Sequence, residues 1–254
     1  MRRVLAIAAH DALVLLREPA ALVSLLLTPA LLMVFLKPLH RSVLAQSGDA
    51  GATGAELAVP GMTTMFAFFM VGIVADAIFR EHGWRTWDRL RVSPVRDWEL
   101  LLGKVLPGYL TVLALFAILM GLGWALVGFR VRGSVAGVVL ILLALGAVVV
   151  SFGMALCALT TSRRQAFTYE RLAALVWAGL GGTFVPIELL PDWLEVLARL
   201  TPTYWAMEGF RDVVLDGLGV TSVLPEVAAL GVFAALFAVV AVSRFRMETA
   251  RVNW

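Results

Sequence analysis

The sequence predicts an all-α, polytopic membrane protein, and three observations carry that prediction. Six apolar runs, at about 20–36, 59–79, 105–128, 134–161, 172–190 and 223–243, fill most of the 254 residues. Each is close to the ~20 apolar residues a helix needs to cross a ~30 Å hydrocarbon core. Only helices and closed barrels satisfy their backbone polar groups in lipid, and these runs are too long and unbroken for barrel strands. Charged residues make up only 15% of the chain and hydrophobic residues 61%, whereas an ordinary soluble domain carries about 25% charged residues. The basic residues, finally, alternate between the gaps.

That alternation orients the chain. Arg2, Arg3 and Arg17, then Arg80, Arg85, Arg89, Arg91, Arg96 and Lys104, then Arg163, Arg164 and Arg171, then Arg244, Arg246 and Arg251 occupy alternate gaps, fifteen in all. The intervening gaps hold six: Lys37, Arg41, Arg130, Arg132, Arg199 and Arg211. The positive-inside rule places the richer set in the cytoplasm. Both termini then lie inside, as an even number of spans requires. The net charge of +3 therefore reports orientation, and no nucleic-acid partner is expected.

Residues 2–18 have helical periodicity but too many charges to span. Arg3, His10, Asp11, Arg17 and Glu18 share one half of the wheel, and Leu5, Ala9, Leu13 and Leu16 share the other. An N-terminal helix lying in the cytoplasmic interface fits this pattern; a plain extension of the first span is the alternative. His10-Asp11 interrupts the short apolar stretch after Arg2-Arg3, which argues against a cleaved signal. Pro19 breaks the helix before the first span.

The small-residue loop 48–54 falls outside. Residues 80–104 form the one sizeable cytoplasmic loop, 129–133 a tight external turn, and 162–171 a short internal loop. Gly133 and Gly137, four apart at the start of the fourth span, permit close helix approach. The segment 188–222 is external but not plainly polar. Pro191, Pro202 and Pro225 punctuate it, while Trp193, Leu194, Leu197, Tyr204, Trp205, Phe210 and Leu215 supply apolar stripes. Two short helices lying on or dipping into the outer leaflet are expected before the last span. No boundary divides the chain, so residues 1–254 read as a single transmembrane domain.

Catalytic signatures are absent. Gly103-Lys104 is followed by Val105 and lacks the glycine framework of a phosphate loop, and there is no H-E-x-x-H or G-x-S-x-G. His10, His40 and His82 are the only histidines, none inside an expected span. Cys157, the lone cysteine, excludes an intramolecular disulfide and a cysteine metal cluster. Asp76 is the only acid placed inside a span, near its inner end. It either pairs with Arg80 one turn on or serves a substrate or gating role.

The cytoplasmic loop is the most informative polar stretch. Trp84, Trp87 and Leu90 or Arg91 share one helical face, and Arg85, Asp88 and Arg89 face another way. An amphipathic helix of this kind suits a protein partner; a solvated connector with interfacial tryptophan anchors is the alternative. Ser93-Pro94 reads as an N-cap with proline in the first turn of the following helix.

Three segments, in order along the chain, resemble the ABC-2-type transporter permeases, the membrane subunits of bacterial exporters of drugs, antibiotics and polysaccharides. The first is Leu16-Arg17-Glu18-Pro19 with Pro29 mid-span. The second runs from Arg80-Glu81-His82-Gly83 through Arg89-Leu90-Arg91-Val92-Ser93-Pro94-Val95 to Leu101-Leu102-Gly103-Lys104. The third is Pro186-Ile187-Glu188-Leu189-Leu190-Pro191-Asp192-Trp193-Leu194, then Leu200-Thr201-Pro202-Thr203-Tyr204 and Gly209-Phe210-Arg211. One departure stands out: the family has Gly-Thr-Leu after the acidic stretch, and this chain has Gly83-Trp84-Arg85-Thr86-Trp87.

The resemblance implies that Glu81, Trp84, Arg85, Trp87, Asp88, Arg89 and Arg91 belong to a coupling helix that docks on a cytoplasmic ABC ATPase. It implies that Pro186, Glu188, Pro191, Trp193, Pro202, Tyr204 and Arg211 belong to external re-entrant helices closing the outer end of a pathway. The chain would bind no cofactor; ATP and Mg would sit on the partner, two copies of which serve the complex. Six spans are few to enclose a pathway, so a second copy or a related permease is expected beside it in the bacterial inner membrane. The implied role is the permease of an exporter for an amphipathic drug, antibiotic or lipid-like substrate. Rival readings are a non-transporting anchor or sensor subunit and an integral-membrane lipid-modifying enzyme.

Overall fold

The computed structural model describes residues 19–46, 51–73, 75–76, 79, 97–184, 187 and 191–244. Among these residues there are eight α-helices and no strand: α1 (Pro19–Gln46), α2 (Ala55–Phe69), α3 (Asp97–Leu122), α4 (Val135–Leu159), α5 (Arg163–Leu180), α6 (Asp192–Ala198), α7 (Pro202–Val214) and α8 (Leu224–Arg244). Helix α3 runs on into a π turn, Gly123–Val127. Five helices, on α1, α2, α3, α4 and α8, are long and apolar enough to cross a membrane. The chain is a multi-pass membrane protein. The expected interfacial helix 2–18, the loop 80–96 with its Ser93-Pro94 cap, and Pro186 and Glu188 lie outside the described residues.

Helices α4 and α8 begin and end within two residues of the apolar runs that predict them. Ser134 caps α4: its hydroxyl accepts the Gly137 N–H at 3.2 Å, filling one of the donors a helix start leaves open. Helix α1 differs from expectation. It continues past the apolar run to Gln46, with Pro29 and Pro38 inside it. The extension holds because its polar residues have partners. Lys37 Nζ donates to the Val127 carbonyl at 2.7 Å, and His40 Nε2 lies 3.1 Å from the Phe184 carbonyl. His40, expected outside any span, is therefore a buried residue of a long helix.

The larger correction is α5. Residues 163–171, read as loop, are helical, and the expected span 172–190 stops at Leu180. Its start is a reciprocal cap. Ser162 Oγ accepts the Gln165 N–H at 3.3 Å, and Gln165 Oε1 accepts the Thr161 N–H at 3.3 Å, a pairing that nucleates helices regardless of hydropathy. At the other end Gly181 N–H bonds the Trp177 carbonyl at 2.8 Å, and Gly182 takes φ +77°. Glycine alone adopts that conformation freely, so the helix ends there.

Helix α2 sits at the centre. Every residue from Ala55 to Phe68 is buried, and α1, α3, α4, α5 and α7 all pack on it. Helices α4 and α8 form the most extensive pair. Rings from four helices meet in mid-bundle. Phe68 stands edge-on to Trp177 at 4.9 Å, Trp177 lies 4.8 Å from Phe152, and Phe237 lies 5.1 Å from Phe152. Such pairs add about 0.5–1.5 kcal/mol each beyond their area. The outer faces stay apolar, as on α8, where Val232, Leu236, Val239 and Val242 are exposed at helical spacing. Gly133 and Gly137 do allow close approach, but within the chain: Gly133 N–H bonds the Val213 carbonyl at 2.8 Å, and the Val213 side chain fills the space beside Gly137.

The helices alternate in direction, which sorts the connections. Residues 51–54, 128–134, 181–184 and 191–223 lie at one end of the bundle, and residues 160–162 and the end of α8 lie at the other.

Gly61 of α2 presses against the backbone carbonyl of Thr183, and any Cβ there would overlap it. A Gly61→Ala variant in detergent or nanodiscs is expected to lose about 1–3 kcal/mol and to melt several degrees lower. An unchanged melting temperature would show that α2 and the 181–184 turn are not in this contact.

Candidate functional site

Two short helices occupy the link between α5 and α8, as the proline and apolar pattern predicts. Pro191 precedes α6 with extended backbone, and α6 leaves Trp193, Val196 and Leu197 exposed. Its last turn carries an exposed ion pair, Arg199 to Glu195 at 2.7 Å. Thr201 then caps α7. Its hydroxyl accepts the Tyr204 N–H at 3.4 Å and donates to the Ala198 carbonyl at 2.6 Å, while Pro202 supplies the pre-set first turn. Trp205 Nε1–H closes the corner on the Arg199 carbonyl at 2.9 Å, with Tyr204 edge-on to its ring at 5.3 Å.

Helix α7 is held inside the bundle by one face. Ala206, Met207, Gly209, Phe210, Val213 and Val214 are buried against α4, α8, α2 and α5. Thr203 Oγ1 donates to the Trp177 carbonyl at 2.6 Å, tying α7 to the end of α5. Arg132 Nη1 donates to the Leu215 carbonyl at 3.2 Å. Of the residues expected in this segment, Pro191, Trp193, Pro202, Tyr204 and Arg211 therefore fall on or beside α6 and α7; Trp193 and Arg211 face out, and Pro202 is buried.

Carboxylates gather where α6, α7 and α8 approach. Burial pushes the Glu208 carboxyl above its ordinary value, and Asp212, Glu226, Asp216 and Glu195 add like-charge repulsion in the same direction. Burial likewise raises the Tyr204 hydroxyl. At the same end of the bundle, Glu56 Oε2 accepts both the Thr53 N–H at 3.0 Å and the Thr53 hydroxyl at 2.9 Å.

The opposite end carries a second polar cluster. Asp76 pairs with Arg163 of α5 at 2.6 Å. Arg80, its expected partner, lies outside the described residues. The Arg163 guanidinium also stands 5.4 Å over the Phe167 ring. Glu170 is buried on the same face of α5, with its carboxyl group against Gly72. Asp76 is thus not the only acid held in the bundle, because Glu56 and Glu170 are buried as well. Sequence reading missed Glu170 by assigning its segment to a loop; the Ser162–Gln165 cap was the signal that could have found it. Among the described residues, no group of three or more His, Cys, Asp or Glu is placed to hold a metal. Several buried polar groups, among them Asp76, Thr183 and Thr203, instead hold backbone and helices to one another. The expected coupling residues Glu81, Trp84, Arg85, Trp87, Asp88, Arg89 and Arg91 lie outside the described residues.

Residues 2–215 match the family model for the ABC-2 type transporter, and the chain belongs to that family. It is 28% identical over 145 residues to the probable multidrug ABC transporter permease YbhR of Escherichia coli (strain K12), covering 57% of this chain and 39% of that protein. It is 26% identical over 191 residues to the linearmycin resistance permease protein LnrN of Bacillus subtilis (strain 168), covering 75% of this chain and 49% of that protein. A more distant eukaryotic likeness is ABC transporter G family member 20 of Dictyostelium discoideum, 27% identical over 175 residues, covering 68% of this chain and 24% of that protein. The matched stretches thus cover half or less of each of these relatives.

The raised Glu208 carboxyl has a consequence for pH. Its folded pKa lies above the ordinary value, so the folded state binds the proton more tightly than the unfolded state. Stability then falls as pH rises from the usual carboxylate value through the raised one. Glu208→Gln is expected to flatten that part of the melting-temperature profile. Parallel profiles for the two proteins would show that Glu208 is not buried among these acids.

Proposed function

We propose that this chain is the membrane subunit of an ATP-driven ABC exporter that moves an amphipathic drug, antibiotic or lipid-like substrate from the cytoplasm or inner leaflet outward. The observation that carries the reading is the family match over residues 2–215 on a bundle whose exposed faces are apolar. The names of the bacterial relatives, a multidrug permease and a linearmycin resistance permease, favour a substrate of this chemistry.

In this reading α5 is the sixth crossing. Its eighteen residues reach about 27 Å at 1.5 Å per residue. The basic residues of α5 and of the end of α8 then lie inside with both termini, and α6 and α7 are the re-entrant helices at the outer mouth. The sequence carries no phosphate loop, so the energy comes from separate cytoplasmic ATPase subunits, two per complex. They meet the coupling residues Glu81, Trp84, Arg85, Trp87, Asp88, Arg89 and Arg91, where buried tryptophans and arginines are the usual energetic anchors of an interface. A second copy or a related permease completes the pathway in the bacterial inner membrane.

Orientation is tested by thiol labelling in a Cys157→Ser background. A cysteine at Ser47 should react with an impermeant reagent from outside and one at Thr86 should not; the reverse pattern overturns the topology.

Coupling is tested by co-expression with a cytoplasmic ABC ATPase subunit. Asp88→Ala with Arg89→Ala should reduce recovery of the ATPase or the efflux of an amphipathic dye such as ethidium, with expression unchanged. Wild-type levels of both would make the loop a solvated connector, and robust ATP hydrolysis by the purified chain alone would contradict the reading as a whole.

A further inference from the structure

Helix α2, with Gly72 and Asp76 just past its end, packs antiparallel on α5, and each level of the contact is different. At one end Asp76 meets Arg163 at 2.6 Å. One turn in, Gly72 lies against the Phe167 ring and the Glu170 carboxylate. In the middle, Phe68 stands edge-on to Trp177 at 4.9 Å. At the far end Gly61 touches the Thr183 carbonyl. Arg163, Phe167, Glu170, Ala174, Trp177 and Ala178 follow helical spacing, so one face of α5 makes the whole contact.

The polar level needs an explanation that packing does not supply. A carboxylate buried in a bundle is costly unless it is bonded. Asp76 meets this cost with the Arg163 guanidinium. Glu170 sits against Gly72, where a Cβ would come within 3.0 Å of its Oε2 and 2.6 Å of the Phe167 ring, so no larger residue fits at that level. Apolar faces slide past one another at little cost, whereas a buried carboxylate that loses its partner pays the full desolvation penalty. The polar contacts therefore fix one register of α5 on α2. The far end of α5 is tied in turn to α7 through Thr203 and the Trp177 carbonyl at 2.6 Å.

We infer that Asp76, Arg163 and Glu170 form a register lock that makes α5 follow α2 and the residues just past it as one body, so that displacement arriving near Phe79 reaches α7 at the opposite end of the bundle. The inference rests on the reading of the chain as an ATP-driven permease, since the chain enters the expected coupling loop directly after Phe79. The three residues are positioning residues: Asp76 and Arg163 touch each other, and Glu170 lies against Gly72.

The test uses the complex with its ATPase in nanodiscs, with Cys157→Ser and spin labels at Val135 and Leu200, which are exposed at the α7 end. The label-to-label distance is read with and without ATP, Mg and vanadate, beside the ATPase rate. The unaltered complex should show a nucleotide-driven shift. Glu170→Leu, and Asp76→Asn with Arg163→Gln, should lose at least about half of it while hydrolysis continues. Glu170→Gln, which keeps the shape and polarity of the side chain beside Gly72, should retain the shift, and the exchange Asp76→Arg with Arg163→Asp should restore much of it. Shifts of unaltered size in Glu170→Leu and the neutralised pair overturn the lock, as does an unaltered complex that hydrolyses ATP with no shift at all. Failure of any ABC ATPase to bind the unaltered chain would instead overturn the permease reading.

Discussion

Burial of α2 on every side is the constraint from which the rest of the bundle follows. In lipid, apolar surface gains nothing by meeting other apolar surface, so helices associate through close packing and interhelical polar contacts. Helix α2 uses both. Its small residues admit neighbouring backbone, as at Gly61 against Thr183, and its aromatic Phe68 enters a ring cluster shared with α4, α5 and α8. The five other helices that touch it are positioned by a single surface.

The two ends of this arrangement are chemically unlike. One end is built from short helices whose capping threonines and tryptophan bond backbone carbonyls, with carboxylates crowded around Glu208. The other is held by the Asp76–Arg163 ion pair and by Glu170 seated against Gly72. The two ends therefore respond to different changes, the first to crowded carboxylates and the second to a single ion pair.

Hydropathy alone located α4 and α8, because their apolar runs coincide with their helices and Ser134 marks a start. The pair of short helices was legible from Pro191 and from Thr201-Pro202, where cap and proline signals stand together. Helix α5 was misplaced by about nine residues because a hydropathy window does not see caps. Ser162 with Gln165 opens the helix among arginines, and Gly181-Gly182 closes it inside an apolar run. His40 and Glu170 could not be placed from local pattern, since what buries them is distant backbone. His40 meets a carbonyl 144 residues away, and Glu170 meets Gly72 on a distant stretch of the chain. The coupling residues fall outside the described residues, so their reading rests on the sequence.

The early stop of α5 has a consequence for the surrounding lipid. Gly181-Gly182 limits the helix to eighteen residues, about 27 Å, and Arg164 and Arg171 are exposed on it. Its exposed apolar stretch is thus well short of a ~30 Å hydrocarbon core, while α1 runs for twenty-eight residues. A helix too short for its bilayer is accommodated by local thinning or by long basic side chains reaching for the headgroups. A bilayer that met both helices would face two unequal apolar lengths on one molecule, with Arg164 and Arg171 exposed on the shorter one.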